Sequence, residues 1–210
     1  MISRAQRILF FAMLIAAVTM AAVLIRLRER AQDRLRAVQQ PAAVIAPAGA
    51  PLTPVTLLIP NDLDNTLAEV ERRLPLPQDD SARARVLLET LLETFHEPHS
   101  THPIAEAPEG SRGPDVDEVF LMPVATAGGA AKNPGRMAVV NLSAAFAHSH
   151  PSGIEPETLT LLSVIGTLHA NLPAITEVRF LIDGRQQDTL AGHADLTRVY
   201  LASDTTPGGE

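Results

Sequence analysis

The stretch EPETLTLLSVIGTLHANLPAITEVRFLIDG, residues 155–184, decides the fold. Its first half reads as a long apolar helix. Leu161, Ile165, Leu168 and Leu172 step by four, three and four, which is one stripe of a 3.6-residue period. Leu159, Leu162 and Val164 widen that stripe, so the helix should be more than half buried. Val178–Ile182 then reads as a strand, closed by Asp183 and Gly184. Asp-Gly tolerates the positive φ angles of a type I′ turn. A helix feeding a strand that doubles back predicts one α/β or α+β core.

Working outward, Val55–Ile59 predicts a first strand, stopped by Pro60, Asn61 and Asp62. Leu67–Leu74 fits either a helical turn or an edge strand, and Pro75 and Pro77 end it in both cases. Asp79, Asp80 and Ser81 supply a cap and a negative first turn for a helix from Ala82 to Phe95. Val86, Leu87, Leu91, Leu92 and Phe95 form its apolar face, with Arg83, Glu89 and Glu93 opposite. His99 to Asp117 reads as loop, and Val119–Met122 and Met137–Leu142 as strands. Gly128, Gly129, Pro134 and Gly135 mark a flexible turn between those two strands. Ala144 to Gly153 reads as an irregular connection, and Gln187–Leu190 and Arg198–Leu201 as short strands. Residues 203–210 read as a loose tail. The expected fold is an α+β domain, a mixed β-sheet with two main helices packed on it, preceded by an N-terminal transmembrane helix.

That membrane helix is read from Ile8 to Ile25, which holds no charged residue. At about 1.5 Å per residue it spans roughly 27 Å, near the thickness of a hydrocarbon core. A cleaved signal peptide is the alternative, but the run exceeds the usual apolar region of about 7–15 residues. Residues 1–7 are then a short cytoplasmic N-terminus. Residues 26–40 form a charged helical stalk, in which Leu27, Ala31, Leu35 and Val38 make a thin apolar line. Residues 41–54 form an Ala/Pro-rich linker. Arg26, Arg28, Arg30, Arg34 and Arg36 favour keeping the following segment in the cytoplasm, whereas Arg4 and Arg7 make a signal-anchor start. Charge alone leaves both orientations open.

Composition narrows the function classes. Residues 1–50 hold seven of the 17 basic side chains and two of the 24 acidic ones, which leaves 10 basic against 22 acidic beyond them, a net of −12. Such a body repels nucleic acid. Aromatics are 3%, with no Trp, which argues against a stacking platform for bases or sugars. The absence of cysteine excludes disulfides, thiolate metal sites, a Cys nucleophile and a lipidated Cys.

The order of motifs in this chain resembles the GerMN domain family of sporulation and spore germination. The matching pieces are VTLLI at 55–59, the helix ending LLETFHEP at 91–98, and AVVNLSAAF at 138–146. LLSVIGTL at 161–168, VRFLIDG at 178–184 and LAGHADL at 190–196 continue the order, so the resemblance covers residues 55–202. It implies a small α+β domain exported across the cytoplasmic membrane on a lipid or helical anchor, which places the domain outside. It also implies no enzymatic activity and a role in building assemblies. The chain departs from relatives in having one copy of the domain, and a membrane helix in place of a lipidated Cys.

No residue is singled out as catalytic, cofactor-binding or metal-binding. Of the seven histidines, His96, His99 and His102 are spaced by three, but Pro98 and Pro103 break any helix that would align them. These three, with His148 and His150, read as solvated loop residues. His169 sits at a helix end where a cation suits the dipole, and His193 reads as a turn-stabilising residue. There is no Gly-x-Ser-x-Gly elbow and no phosphate-binding glycine fingerprint. Asp115 with Asp117, and Asp79 with Asp80, read as loop and cap residues. Gly166, inside the long helix, predicts a close approach to a strand. The expected role is a membrane-anchored extracytoplasmic module that binds an envelope protein or itself. Peptidoglycan binding and a histidine-dependent hydrolase are the alternatives.

Overall fold

The computed structural model describes residues 51–105, 113–124 and 135–205. The expected membrane helix, the stalk, residues 41–50 of the linker, the Gly128–Gly129 turn and the end of the tail lie outside the described residues. Among the described residues no helix is long and apolar enough to cross a membrane.

The elements run β1 (Leu52–Asn61), β2 (Thr66–Pro75), α1 (Asp80–Phe95), β3 (Val116–Pro123), β4 (Arg136–Leu142), α2 (Ala144–Ser149), α3 (Ile154–Asn171), β5 (Ile175–Ile182) and β6 (Tyr200–Leu201). A 3₁₀ turn, Ala202–Thr205, follows. The strands form two sheets, and in this the structure corrects the expected single one. β1 and β2 make an antiparallel hairpin by themselves. The other four strands lie in the order β3-β4-β5-β6, with β4 and β5 parallel and the outer pairs antiparallel.

Local chemistry accounts for most elements. α1 starts at Asp79, whose Oδ1 accepts the Ala82 N–H at 2.8 Å. Leu87, Leu88, Leu91, Leu92 and Phe95 are fully buried on its inner face. The ambiguous segment is a strand: Leu67, Val70, Arg72 and Leu74 are half-buried while most of their neighbours are exposed. Ala144–Ser149 is a short helix rather than an irregular connection. Ser143 caps it by accepting the Phe146 N–H at 3.1 Å, and Pro151 stops it. A six-residue helix is too short for its period to be read.

The turn after β5 is as predicted, with φ +48° at Asp183 and +71° at Gly184. It is tied to the end of β4. Asp183 Oδ1 accepts the Ala144 N–H at 2.8 Å, and Asn141 Oδ1 accepts the Gly184 N–H at 2.6 Å. Two isolated bridges follow the turn, Ile182 with Arg185 and Thr189 with Asp195. The expected strand Gln187–Leu190 is loop, because its backbone is drawn into turns: the Leu190 N–H reaches Ala194 O and the Leu196 N–H reaches Asp188 O. The last strand is only Tyr200–Leu201.

α1 and α3 cover one face of the four-stranded sheet, where Val119, Val140, Leu142, Val178, Phe180 and Ile182 join their apolar residues in one core. Each buried Leu or Phe stabilises by about 1.5–3 kcal/mol. The opposite sheet face is open: Phe120, Met122 and Leu201 are exposed on it.

Candidate functional site

α3 is buried nearly all round, yet it carries Thr160, Ser163, Thr167 and Asn171, spaced three, four and four along one face. Three of these side chains act as a substitute strand for β1. Asn171 Oδ1 accepts the Thr56 N–H at 3.0 Å, and its Nδ2 donates to Thr56 O at 2.7 Å. Thr167 Oγ1 accepts the Leu58 N–H at 2.9 Å, and Ser163 Oγ donates to Leu58 O. Thr101 continues the row, donating from Oγ1 to Pro60 O at 2.6 Å and accepting the Asp62 N–H on its carbonyl at 3.1 Å. Pro60 has no N–H to satisfy. The outer edge of β1 is therefore paired group by group, as buried backbone requires.

The fourth residue, Thr160, joins two buried histidines. His102 Nε2 and His150 Nε2 each lie 2.7 Å from Thr160 Oγ1. His102 Nδ1 is 2.5 Å from Asp62 Oδ1, and His150 Nδ1 is 2.8 Å from Pro151 O. A carbonyl only accepts, so His150 carries a hydrogen on Nδ1. The single Thr160 hydroxyl hydrogen serves one Nε2, so the other Nε2 must be protonated. With Asp62 ionised, the chain closes only with one proton more than two neutral imidazoles hold. Burial lowers the pKa of His150 and keeps it the neutral partner.

Asp62, His102 and Thr160 have the order of an acid, base and hydroxyl nucleophile. The base and the hydroxyl are sealed: His102 and Thr160 expose nothing and His150 only 5%, while the Asp62 side chain is 34% exposed. No substrate carbonyl reaches Thr160 Oγ1. The network instead ties together the hairpin tip, the loop after α1, the α2–α3 connection and α3.

A second cluster surrounds Glu157, which is fully buried in the first turn of α3. Its Oε2 accepts the backbone N–H groups of Ala191, His193 and Ala194 at 3.0, 2.9 and 2.8 Å. Its Oε1 accepts the Gly153 N–H at 3.1 Å. Burial by itself raises this carboxyl, but the four N–H groups outweigh it and bring the pKa down to about 2. The loop after β5 is folded around this charge. His193 Nδ1 lies 3.1 Å from Glu157 Oε1 and 3.2 Å from Ser152 Oγ. A Ser-His-acid relay needs its two partners on opposite ring nitrogens, and here both face the same one. His193 does stabilise this turn, as its position in the sequence suggested.

The other histidines are placed as follows. His96 caps α1 and pairs with Asp115 at 3.0 Å; its side chain is 6% exposed, so, with His102 and His150, it departs from the expected solvated state. His99 and His148 are exposed. His169 Nδ1 donates to Ile175 O at 2.9 Å and links α3 to β5. Asp79 is the expected cap, and Asp80 pairs with Arg83 and Arg136. Burial and the nearby Asp183 charge push the pKa of Asp117 up, against the pull of Arg85. Among the described residues no three His, Asp or Glu side chains converge as a metal would require. An open recess of about 410 Å³ beside α2 is lined by His148, Ser152, Gln187 and Thr189.

These features define a small α+β domain whose ionisable and hydroxyl groups are engaged in holding its own loops. The Germane model, sporulation and spore germination, matches residues 56–188, and the chain belongs to that family. Among solved structures, the tandem GerMN domains of the sporulation protein GerM from Bacillus subtilis are similar at 20% identity and a TM-score of 0.39, covering 76% of this chain and 51% of that one. The first GerMN domain of the same protein is similar at 18% identity and a TM-score of 0.35, covering 70% and 94%. A lipoprotein candidate from Clostridium perfringens gives 18% identity and a TM-score of 0.35, covering 76% and 94%. No curated protein matches.

Proposed function

We propose that this chain is a membrane-anchored, extracytoplasmic, non-enzymatic module that works by protein contact in the cell envelope, in a sporulation- or germination-type process. The observation that carries the reading is the closure of both acid–histidine–hydroxyl clusters. In one the hydroxyl and the histidines are sealed from solvent, and in the other both partners face one nitrogen. What remains for partners is surface, including the exposed apolar residues Phe120, Met122 and Leu201 on the outer sheet face. The family supports the process, and the apolar run at residues 8–25 supports the anchor.

Cross-linking of the full chain at native expression tests the proposal. Adducts larger than the monomer are expected. A purely monomeric chain with no neighbour overturns it, as does a domain that protease reaches only after spheroplasts are burst.

A further inference from the structure

β1 and β2 treat their outer edges in opposite ways. The outward backbone groups of β1, from Thr56 to Asp62, are all paired by α3 side chains and Thr101. Because Thr56 and Leu58 face α3, it is Val55, Leu57 and Ile59 that bond across the hairpin, to Arg72, Val70 and Ala68. The odd-numbered residues of β2, Leu67, Glu69, Glu71 and Arg73, therefore direct their N–H and C=O groups outward. Among the described residues nothing bonds to them there. Among the described residues this leaves one open edge on a ten-residue strand.

The geometry points to a second copy of this chain as the occupant of that edge, joined β2 to β2, antiparallel, about a two-fold axis through Arg72. This rests on the reading of the domain as a contact module and names its partner. In that register Glu71 stands opposite Arg73 of the other copy, and the same pair recurs by symmetry, with both backbone bonds exchanged in each. On the other face of the ribbon Val70 stands opposite Leu74, again twice; both are half-buried, and Leu74 already packs against the core of its own chain. Shifting the axis to Glu71 sets Glu71 against itself and Val70 against Arg72. Shifting it to Val70 sets Glu69 against Glu71. Like charges directly opposite destabilise a strand pair, and opposite charges and apolar pairs favour it. The Arg72 register alone joins Glu71 to Arg73 and Val70 to Leu74; its two Arg72 side chains stand opposite each other, and each keeps Glu97 of its own chain, 3.4 Å away, as a partner.

Charges on an edge strand serve in many proteins to prevent pairing. A protective edge repels its own copy, whereas Glu69, Glu71, Arg72 and Arg73 sum to zero in a body of net −12, and Glu71 and Arg73 complement each other on inversion. The β1 edges are paired from Thr56 to Asp62 in both copies, so the joined ribbon β1-β2-β2-β1 is closed over that length of its outer edges. It closes as a dimer and does not propagate as a fibre.

The natural absence of cysteine makes the test clean. In native membranes, the full chain carrying Arg72→Cys should form a disulfide dimer on mild oxidation, since the two Cα atoms lie about 4.5 Å apart in such a pair, within disulfide range. Val70→Cys alone should give little dimer, but mixed with Leu74→Cys chains it should cross-link to them. Glu71→Arg and Arg73→Glu should each lower the dimer fraction at least tenfold, and the double exchange should restore it. Equal cross-linking at every position, or single reversals without effect, overturns the proposal. Absent Arg72→Cys dimers alongside adducts to another envelope protein overturn the edge pairing and leave the contact reading standing. A chain without any neighbour overturns both.

Discussion

Replacing Glu157 by Gln probes the most concentrated charge–backbone contact in the domain. The carboxylate accepts four N–H groups from Gly153, Ala191, His193 and Ala194 and exposes nothing. A Gln places an NH₂ where one oxygen stood, so at least one N–H meets a donor. Lowering the pKa from an ordinary 4.5 to about 2 corresponds to about 3 kcal/mol of folding stability, at about 1.4 kcal/mol per tenfold. The sign follows from linkage. A carboxyl whose folded pKa is depressed adds stability above its unfolded pKa, and that stability is lost as pH falls through the folded value. The contribution is therefore complete above pH 4.5 and disappears toward pH 2. Urea denaturation of wild type and Glu157→Gln across pH 2–7 measures it. The variant should be less stable by about 3 kcal/mol at pH 7, and the two curves should converge near pH 2. A gap below about 0.5 kcal/mol at pH 7, within the ordinary range for a surface substitution, refutes the reasoning. So does a gap that stays constant with pH.

Thr167→Val removes the acceptor of the Leu58 N–H and should cost about 1–3 kcal/mol, with faster amide exchange at Leu58 than at Leu57. Thr160→Val unpairs both buried histidines and should cost at least about 1–3 kcal/mol. Gly184→Ala adds a Cβ at φ +71° with nothing within 4 Å, so the cost is backbone strain alone, about 1–2 kcal/mol by thermal melting.

Elements with a strong local signal were legible in the sequence. α1 has its Asp79 cap, α3 its apolar stripe, and the Asp183–Gly184 turn the one residue pair suited to two positive φ values. β2 was ambiguous because Glu69, Glu71, Arg72 and Arg73 interrupt its alternation, and its state is decided by pairing to β1. The separation of the hairpin from the main sheet depends on which backbone groups α3 satisfies, which no local pattern encodes. The histidines misled for the same reason. His102 lies between Thr101 and Pro103, a loop-like context, and is buried only because Asp62 and Thr160 arrive from 40 and 58 residues away. One signal was available: Thr160, Ser163, Thr167 and Asn171 repeat along one face of a helix otherwise apolar enough to be buried. Buried polar side chains in that pattern call for partners.

That polar stripe links sequence to the surface on which function is proposed to depend. An apolar helix face would hold β1 by burial, and burial alone tolerates sliding. Asn171, Thr167 and Ser163 hold it by named backbone groups two residues apart on the strand and about one turn apart on the helix. Sliding β1 by two residues would remove one end of the ladder from its partners, and each orphaned group costs about 1–3 kcal/mol. A slip of one residue would turn Val55 and Leu57 out of the core. The hairpin is thereby fixed in both position and rotation, and β2, bonded to β1 along its whole length, inherits that placement. An edge that must meet its partner in a single register needs a rigid backing. The helix supplies it with three polar residues, Ser163, Thr167 and Asn171, that a purely apolar core would have excluded.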